Sequence, residues 1–180
     1  MEPRLKPLPR DEWDEETRAL LGDSALNVFA TFAHHPKLMK RWLVFGNHVL
    51  AKSTLPARDR ELVVLRTGWN CRAPYEWAQH VAIARSIGIT DDEITRITQG
   101  PDAPGWAEVD ALVLRAADEL HADQGLTDAT YAALAEHYDV QQQLDLVFTV
   151  GQYTLVSMAL NAFRAERDDN VTGVPIPTRE

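Results

Sequence analysis

Scarcities set the first limits on this chain. It has a single cysteine, Cys71, so no disulfide can form within it, which suits a reducing compartment. Positive charge is short: Lys and Arg number 18 against 27 Asp and Glu, a formal charge of −9. An acidic surface repels phosphate, so neither a nucleic acid nor an anionic membrane is an expected partner. No run reaches the roughly 18 consecutive apolar residues of a membrane span. The start, Met1-Glu2-Pro3-Arg4-Leu5-Lys6-Pro7, has no apolar core, so no signal peptide and a cytoplasmic location are expected. Period-2 alternation and Asn-Gly turn pairs are missing, which excludes a strand-based fold. There is no P-loop, no paired Cys-x-x-Cys and no His-Glu-x-x-His.

What is present reads as about nine helices in one all-α, multi-helix domain over 11–168. An extended arm, 1–10, precedes it, either loose or laid on a neighbouring subunit. A mobile tail, 169–180, follows. Asp11 is the expected cap of the first helix, which stops near Gly22. Ser24 is expected to cap the second. Pro36 opens a third helix whose apolar stripe is read as Leu38, Trp42, Phe45, Val49 and Leu50. After a break at Ser53–Pro56, a fourth helix carries Leu62, Val63, Leu65, Arg66 and Trp69 as a central element. Pro74 forces a short joint at 70–73, and a fifth helix runs from there to about 87. Thr90 and Glu93 have capping-box spacing, and Thr127 caps a later helix with Tyr131, Leu134 and Ala135 inward. The last helix starts after Asp139 and runs to about 167. Its wide apolar surface, with Leu144, Val147, Phe148, Leu155 and Met158, suits a central helix or a subunit interface.

The polar residues with chemical potential are concentrated in 69–80. Glu76 and His80 lie four apart, on one helix face, amid apolar neighbours. Burial raises a carboxylate's pKa and a nearby negative charge raises an imidazole's, so both can titrate near neutral pH. Glu61, on the preceding helix, is the third candidate, with Arg60 either paired to it or facing water. The same spacing also describes an ordinary exposed ion pair. Tyr75, Trp77, Phe45, His48 and Gln152 are expected around the substrate, with Tyr75 and Trp77 equally at home in the core. Cys71 reads first as a small buried hydrophobe. His34-His35 sit at the Pro36 turn, and His121 and His137 near helix C-termini, where positive charge is favoured.

The stretch Leu55-Pro56-Ala57-Arg58-Asp59-Arg60-Glu61-Leu62-Val63-Val64-Leu65-Arg66, followed by Tyr75-Glu76-Trp77-Ala78-Gln79-His80-Val81, resembles the carboxymuconolactone decarboxylase family, which includes alkyl hydroperoxidase D. The likeness extends over about 25–168, through Ala33-His34-His35-Pro36, Arg115–Leu120 and Phe148–Tyr153, and points to a subgroup with a Tyr-Glu-Trp-x-x-His run. It implies an alkyl hydroperoxidase D-like bundle forming trimers, hexamers or related homo-oligomers. The peroxidase branch of the family spaces a glutamate, two cysteines and a histidine so that they fall on Glu61, Ala73, Glu76 and His80. Both cysteines are therefore absent, and a dithiol cycle needs two sulfurs. The decarboxylase branch needs none. The expected activity is acid–base chemistry on a small carbonyl or lactone compound, a lyase- or isomerase-like reaction at Glu61, Glu76 and His80. No cofactor and no metal are expected. The alternatives are a peroxiredoxin-type activity at Cys71 with an external thiol, and a non-catalytic helical oligomer.

Overall fold

The computed structural model describes residues 2–22, 26–168 and 172–178. Among them are nine α-helices and no strand. They are α1 (Glu15–Leu21), α2 (Asn27–Phe32), α3 (Pro36–Asn47), α4 (Ala57–Asn70), α5 (Pro74–Ser86), α6 (Asp91–Gln99), α7 (Glu108–Asp123), α8 (Asp128–His137) and α9 (Val140–Phe163). A 3-10 turn at Arg10–Glu12 precedes α1, and a π-helical turn at His48–Lys52 extends α3.

The chain is organised around α4, which packs against α5, α6, α7 and α9. Leu62, Val63, Val64 and Leu65 are consecutive and all buried. A helix that buries every side has no solvated face, so Glu61, also fully buried, must find its partners inside the protein. The joint to α5 is tight. Arg72 takes a left-handed φ of 49°, and the Ala73 N–H donates to the Gly68 carbonyl at 2.9 Å. Pro74 then starts α5 at its first position, where no N–H is needed. The turn folds α5 back along α4, so residues similar distances from the corner come face to face.

Most helix ends follow the local chemistry read from the sequence. Pro36 opens α3, Thr90–Glu93 and Asp139–Gln142 form capping boxes, and Thr127 caps α8. The first cap differs. Asp14, not Asp11, accepts from the Thr17 N–H at 2.7 Å, because Arg10–Glu12 closes its own 3-10 turn. The expected Ser24 cap lies outside the described residues. His35 Nδ1 accepts from the Leu38 N–H at 3.3 Å, giving α3 a side-chain cap that the turn-packing reading of His34-His35 did not favour. Residues 4–8 lie along their own chain: Arg4 N–H donates to the Phe163 carbonyl and Leu8 N–H to that of Ala30.

Two apolar faces are rotated from expectation. In α3 the inward residues are Met39 and Leu43, while Leu38 and Phe45 are exposed. In α8, Leu134 is buried but Tyr131 and Ala135 face outward. α9 ends at Phe163, where Arg164 turns left-handed, four residues before the expected end. Its buried stripe is Leu146, Thr149, Val150, Gln152, Tyr153, Val156, Ser157 and Leu160, and Leu144, Phe148, Leu155 and Met158 point outward. α9 is long and apolar enough to meet the length and composition of a bilayer span. Its buried polar residues, however, face the bundle: Asp145 accepts from Thr54, and Thr149 Oγ1 donates to the Asp145 carbonyl.

Candidate active site

The turn between α4 and α5 brings Glu61 and His80 into contact. Glu61 Oε2 lies 2.7 Å from His80 Nδ1, with both side chains buried. Arg60 Nε donates to the other Glu61 oxygen at 3.2 Å, so Arg60 is paired and does not face water. On the far side of the ring, His80 Nε2 is 3.7 Å from Glu76 Oε2, one helical turn back on α5. That distance is an ion-pair separation rather than a hydrogen bond. The Tyr153 ring meets the imidazole edge-on, with centroids 4.8 Å apart. The four polar groups thus form a row, Arg60, Glu61, His80, Glu76, with the imidazole held from one side and open on the other.

A cavity of about 130 Å³ lies at the open end. Glu76, His80, Gln152 and Tyr153 line it, together with Val28, Phe29, Trp42, Gly46, Leu50, Tyr75, Gln79 and Val156 among others. Glu61 is not in its wall, so it touches the cavity only through His80. The walls come from α2, α3, α5, α9 and the π-helical turn, a wider construction than two successive helices.

The electrostatics follow from burial and neighbours. Burial alone would raise the Glu61 carboxyl, but the His80 imidazolium and Arg60 outweigh it and hold Glu61 below the usual carboxylate range. Burial would depress His80, and the Glu61 carboxylate, helped by Glu76, reverses this and raises it. For Glu76 burial outweighs the opposing pull of the His80 charge and pushes the carboxyl up, and the Glu61 charge adds to that. The result is an ionised Glu61, a His80 that keeps its proton longer, and a Glu76 biased to the neutral acid.

The remaining sequence candidates divide. Tyr75 and Gln152 line the cavity as expected. Tyr75 also anchors its rim, since its hydroxyl accepts from the Val28 N–H at 3.0 Å and donates to Asp168. Trp77 does not line it: the residue is fully buried and its ring packs on Trp69. Phe45 turns outward against Phe148 on α9. His48 pairs with Asp145 at 3.2 Å, half-exposed and outside the cavity wall. These three corrections share a cause. One residue of helix is 100° of rotation, so nearness in sequence does not decide which way a side chain points. Cys71 caps the end of α4, with Sγ 3.8 Å from His121 Nδ1, and is also outside the wall. Trp42 and Gln79 are cavity residues that the sequence pattern left unassigned, and Tyr153, next to Gln152 on α9, lines the same cavity. Trp42 carries a detectable sign, a large aromatic one helical turn before Gly46. Among the described residues, no group of three His, Cys, Asp or Glu side chains has a metal-holding arrangement.

Comparisons with known proteins bear on the family and the fold. The carboxymuconolactone decarboxylase family model matches residues 36–119, which include Glu61, Glu76 and His80. The chain is carboxymuconolactone decarboxylase-like. Solved structures show that this carboxymuconolactone decarboxylase-like chain has an alkyl hydroperoxidase D-like fold. It is similar to an alkylhydroperoxidase AhpD core, an uncharacterized peroxidase-related protein from Ralstonia eutropha JMP134. The TM-score is 0.80 and the identity 19%, over 94% of this chain and 95% of that one. A peroxidase-related protein from Silicibacter sp. TM1040 gives a TM-score of 0.79 at 15% identity, covering 92% of each chain. The debrominase Bmp8, solved as its C82A variant with 2,3,4-tribromopyrrole, gives 0.74 at 13% identity, covering 93% of each chain. No curated protein sequence matches the chain.

Proposed function

We propose that this protein is an acid–base enzyme acting on a small carbonyl or lactone compound, in a decarboxylase- or isomerase-like reaction. The observation that carries the reading is the row of Glu61, His80 and Glu76 ending at a partly open cavity, with Nδ1 of the imidazole engaged at 2.7 Å and Nε2 turned toward Glu76. Glu61 is a positioning residue: it fixes the ring and supports its positive charge. His80 and Glu76 are the catalytic residues. In a decarboxylation, the bond from the substrate carbon to its carboxylate breaks and carbon dioxide leaves. The electron pair moves into the neighbouring carbonyl, and His80 Nε2–H or Glu76 delivers a proton to the resulting enolate. In an isomerisation, neutral His80 first takes a proton from the carbon beside the carbonyl, and the enolate so formed receives a proton at a second carbon from the same Nε2–H or from Glu76. Cys71 has no part, because it lies outside the cavity wall.

Turnover of a panel of small lactones and β-keto acids tests this. His80→Ala should lower the rate by about 10²–10⁴-fold, the usual contribution of a general acid or base. A variant that turns over at the wild-type rate refutes the assignment.

The outward apolar residues of α3 and α9 support a second proposal, that copies of this chain associate through that face. Val44 is 74% exposed and Met158 60%, with Leu144, Phe148 and Leu155 beside them. Sedimentation should show an oligomer that Phe148→Glu disperses, whereas a monomeric wild type would rule it out.

A further inference from the structure

The cavity has a second polar wall, which the acid–base row does not use. Gln152 is 4% exposed, lines the cavity, and its Oε1 has no hydrogen-bond partner. The Trp42 indole Nε1 is likewise buried and unpartnered, and Trp42 lines the same cavity. The two meet over Gly46. A Cβ built there would lie 3.4 Å from Gln152 Nε2 and 3.7 Å from Trp42 Cε2. Gly46 therefore lets the Gln152 amide and the Trp42 indole lie side by side against the α3 backbone. Phe32, edge-on to the indole at 5.0 Å, and Phe29 hold Trp42 in place. Other buried polar atoms without partners, on Thr31, Trp77 and Ser157, lie outside the cavity wall. A buried amide oxygen and an indole N–H without partners are each costly, so this pair is suited to a ligand that completes both.

We infer that Trp42, Gly46 and Gln152 form a recognition subsite for the uncharged polar edge of a single-ring compound that carries a hydrogen-bond donor beside an acceptor. The acceptor, a carbonyl oxygen, takes the Trp42 N–H. The donor, an N–H or enol O–H, gives to Gln152 Oε1. An indole N–H only donates, while a carboxamide does either, so the pair selects a ligand with both functions. The edge is uncharged because no Lys or Arg is among the cavity residues. Ring size follows from volume: an apolar cavity of about 150 Å³ accepts benzene, and this one is about 130 Å³. The inference rests on the acid–base reading only in placing the reacting carbon at the His80 end of the same cavity.

Two probes of equal size test the subsite. δ-Valerolactam has a donor beside its carbonyl, and cyclohexanone replaces that N–H with a methylene. Binding is followed by the ¹⁵N-indole resonance of Trp42, assigned by its loss in Trp42→Phe. The lactam should shift that resonance and bind about fivefold or more tightly than the ketone, the ordinary worth of one buried hydrogen bond. In Gln152→Leu, or in the unbranched Gln152→Met should the first fail to fold, this preference should vanish. Equal binding of lactam and ketone to the wild type, or a preference that survives both Gln152 variants, overturns the subsite. If that happens while turnover still depends on His80, the acid–base reading stands and only the subsite falls.

Discussion

Two buried acids on α4, half a turn apart, have opposite surroundings. Asp59 accepts a hydrogen bond from the Tyr138 hydroxyl at 2.7 Å. Its neighbour Arg58 is bonded to Asp110 and Glu93, so the two residues tie α4 to α6, α7 and the end of α8. Glu61 also has its partners, His80 and Arg60, but the imidazole it holds is open to a cavity on the other side. Burial and good partners are common to both. Only the second has space beside it where a substrate could stand, so a titratable cluster becomes a candidate site through the cavity, not through its hydrogen bonds.

The contrast is sharpest in turnover. Glu61→Gln should lower the rate by about 10-fold or more, because the ring loses the charge that supports it, while Asp59→Asn should leave it within about twofold. A similar loss in both would erase the distinction. Glu61→Gln should also move the alkaline limb of the pH–rate profile to lower pH, since Glu61 is the largest influence raising His80. A limb that stays in place would mean that Glu61 is merely structural.

Stability should show the reverse order. Tyr138→Phe leaves the Asp59 carboxylate without its hydroxyl and should cost about 1–3 kcal/mol in denaturant unfolding. Tyr153→Phe, which keeps the ring packed on His80, should cost under about 1 kcal/mol. Equal losses would place a structural bond at Tyr153 too.

The smallest effect is in the pH dependence of stability, where the acids differ in sign. Burial raises Asp59 and Glu76, so the folded state holds their protons more tightly. The stability they contribute is full below the ordinary carboxylate values of 3.8 and 4.5 and is lost as pH rises above them. Glu61 is lowered, so its contribution is present above 4.5 and lost as pH falls through its folded value. Relative to wild type, Asp59→Asn and Glu76→Gln should therefore gain stability from pH 4 to pH 8. Glu61→Gln should lose it over the same range. Unfolding curves at both pH values decide the matter, and a common sign would contradict the contrast.

Much of the fold was readable from local chemistry. Pro36 and Pro74 start helices because neither position needs an N–H, and Thr90, Thr127 and Asp139 close helix ends with their own side chains. Glu76 and His80 sharing a face followed from their spacing. The misplaced residues were those whose setting depends on rotation about a helix axis. Phe45, His48 and Trp77 lie within a few residues of cavity positions and point elsewhere. Trp42 on α3 and Tyr153 on α9 enter the wall from helices distant in sequence, so packing alone brings them together.

By itself the sequence determined the helical class, the caps and breaks, and the pairing of Glu76 with His80, because these depend on neighbours within about four residues. Tertiary structure alone decided that Glu61 backs the imidazole, that Asp59 does not, and that a cavity opens between α3, α5 and α9. These are outcomes of packing, in which elements far apart along the chain compete for the same space, and the charge each acid carries is set only once its surroundings are complete.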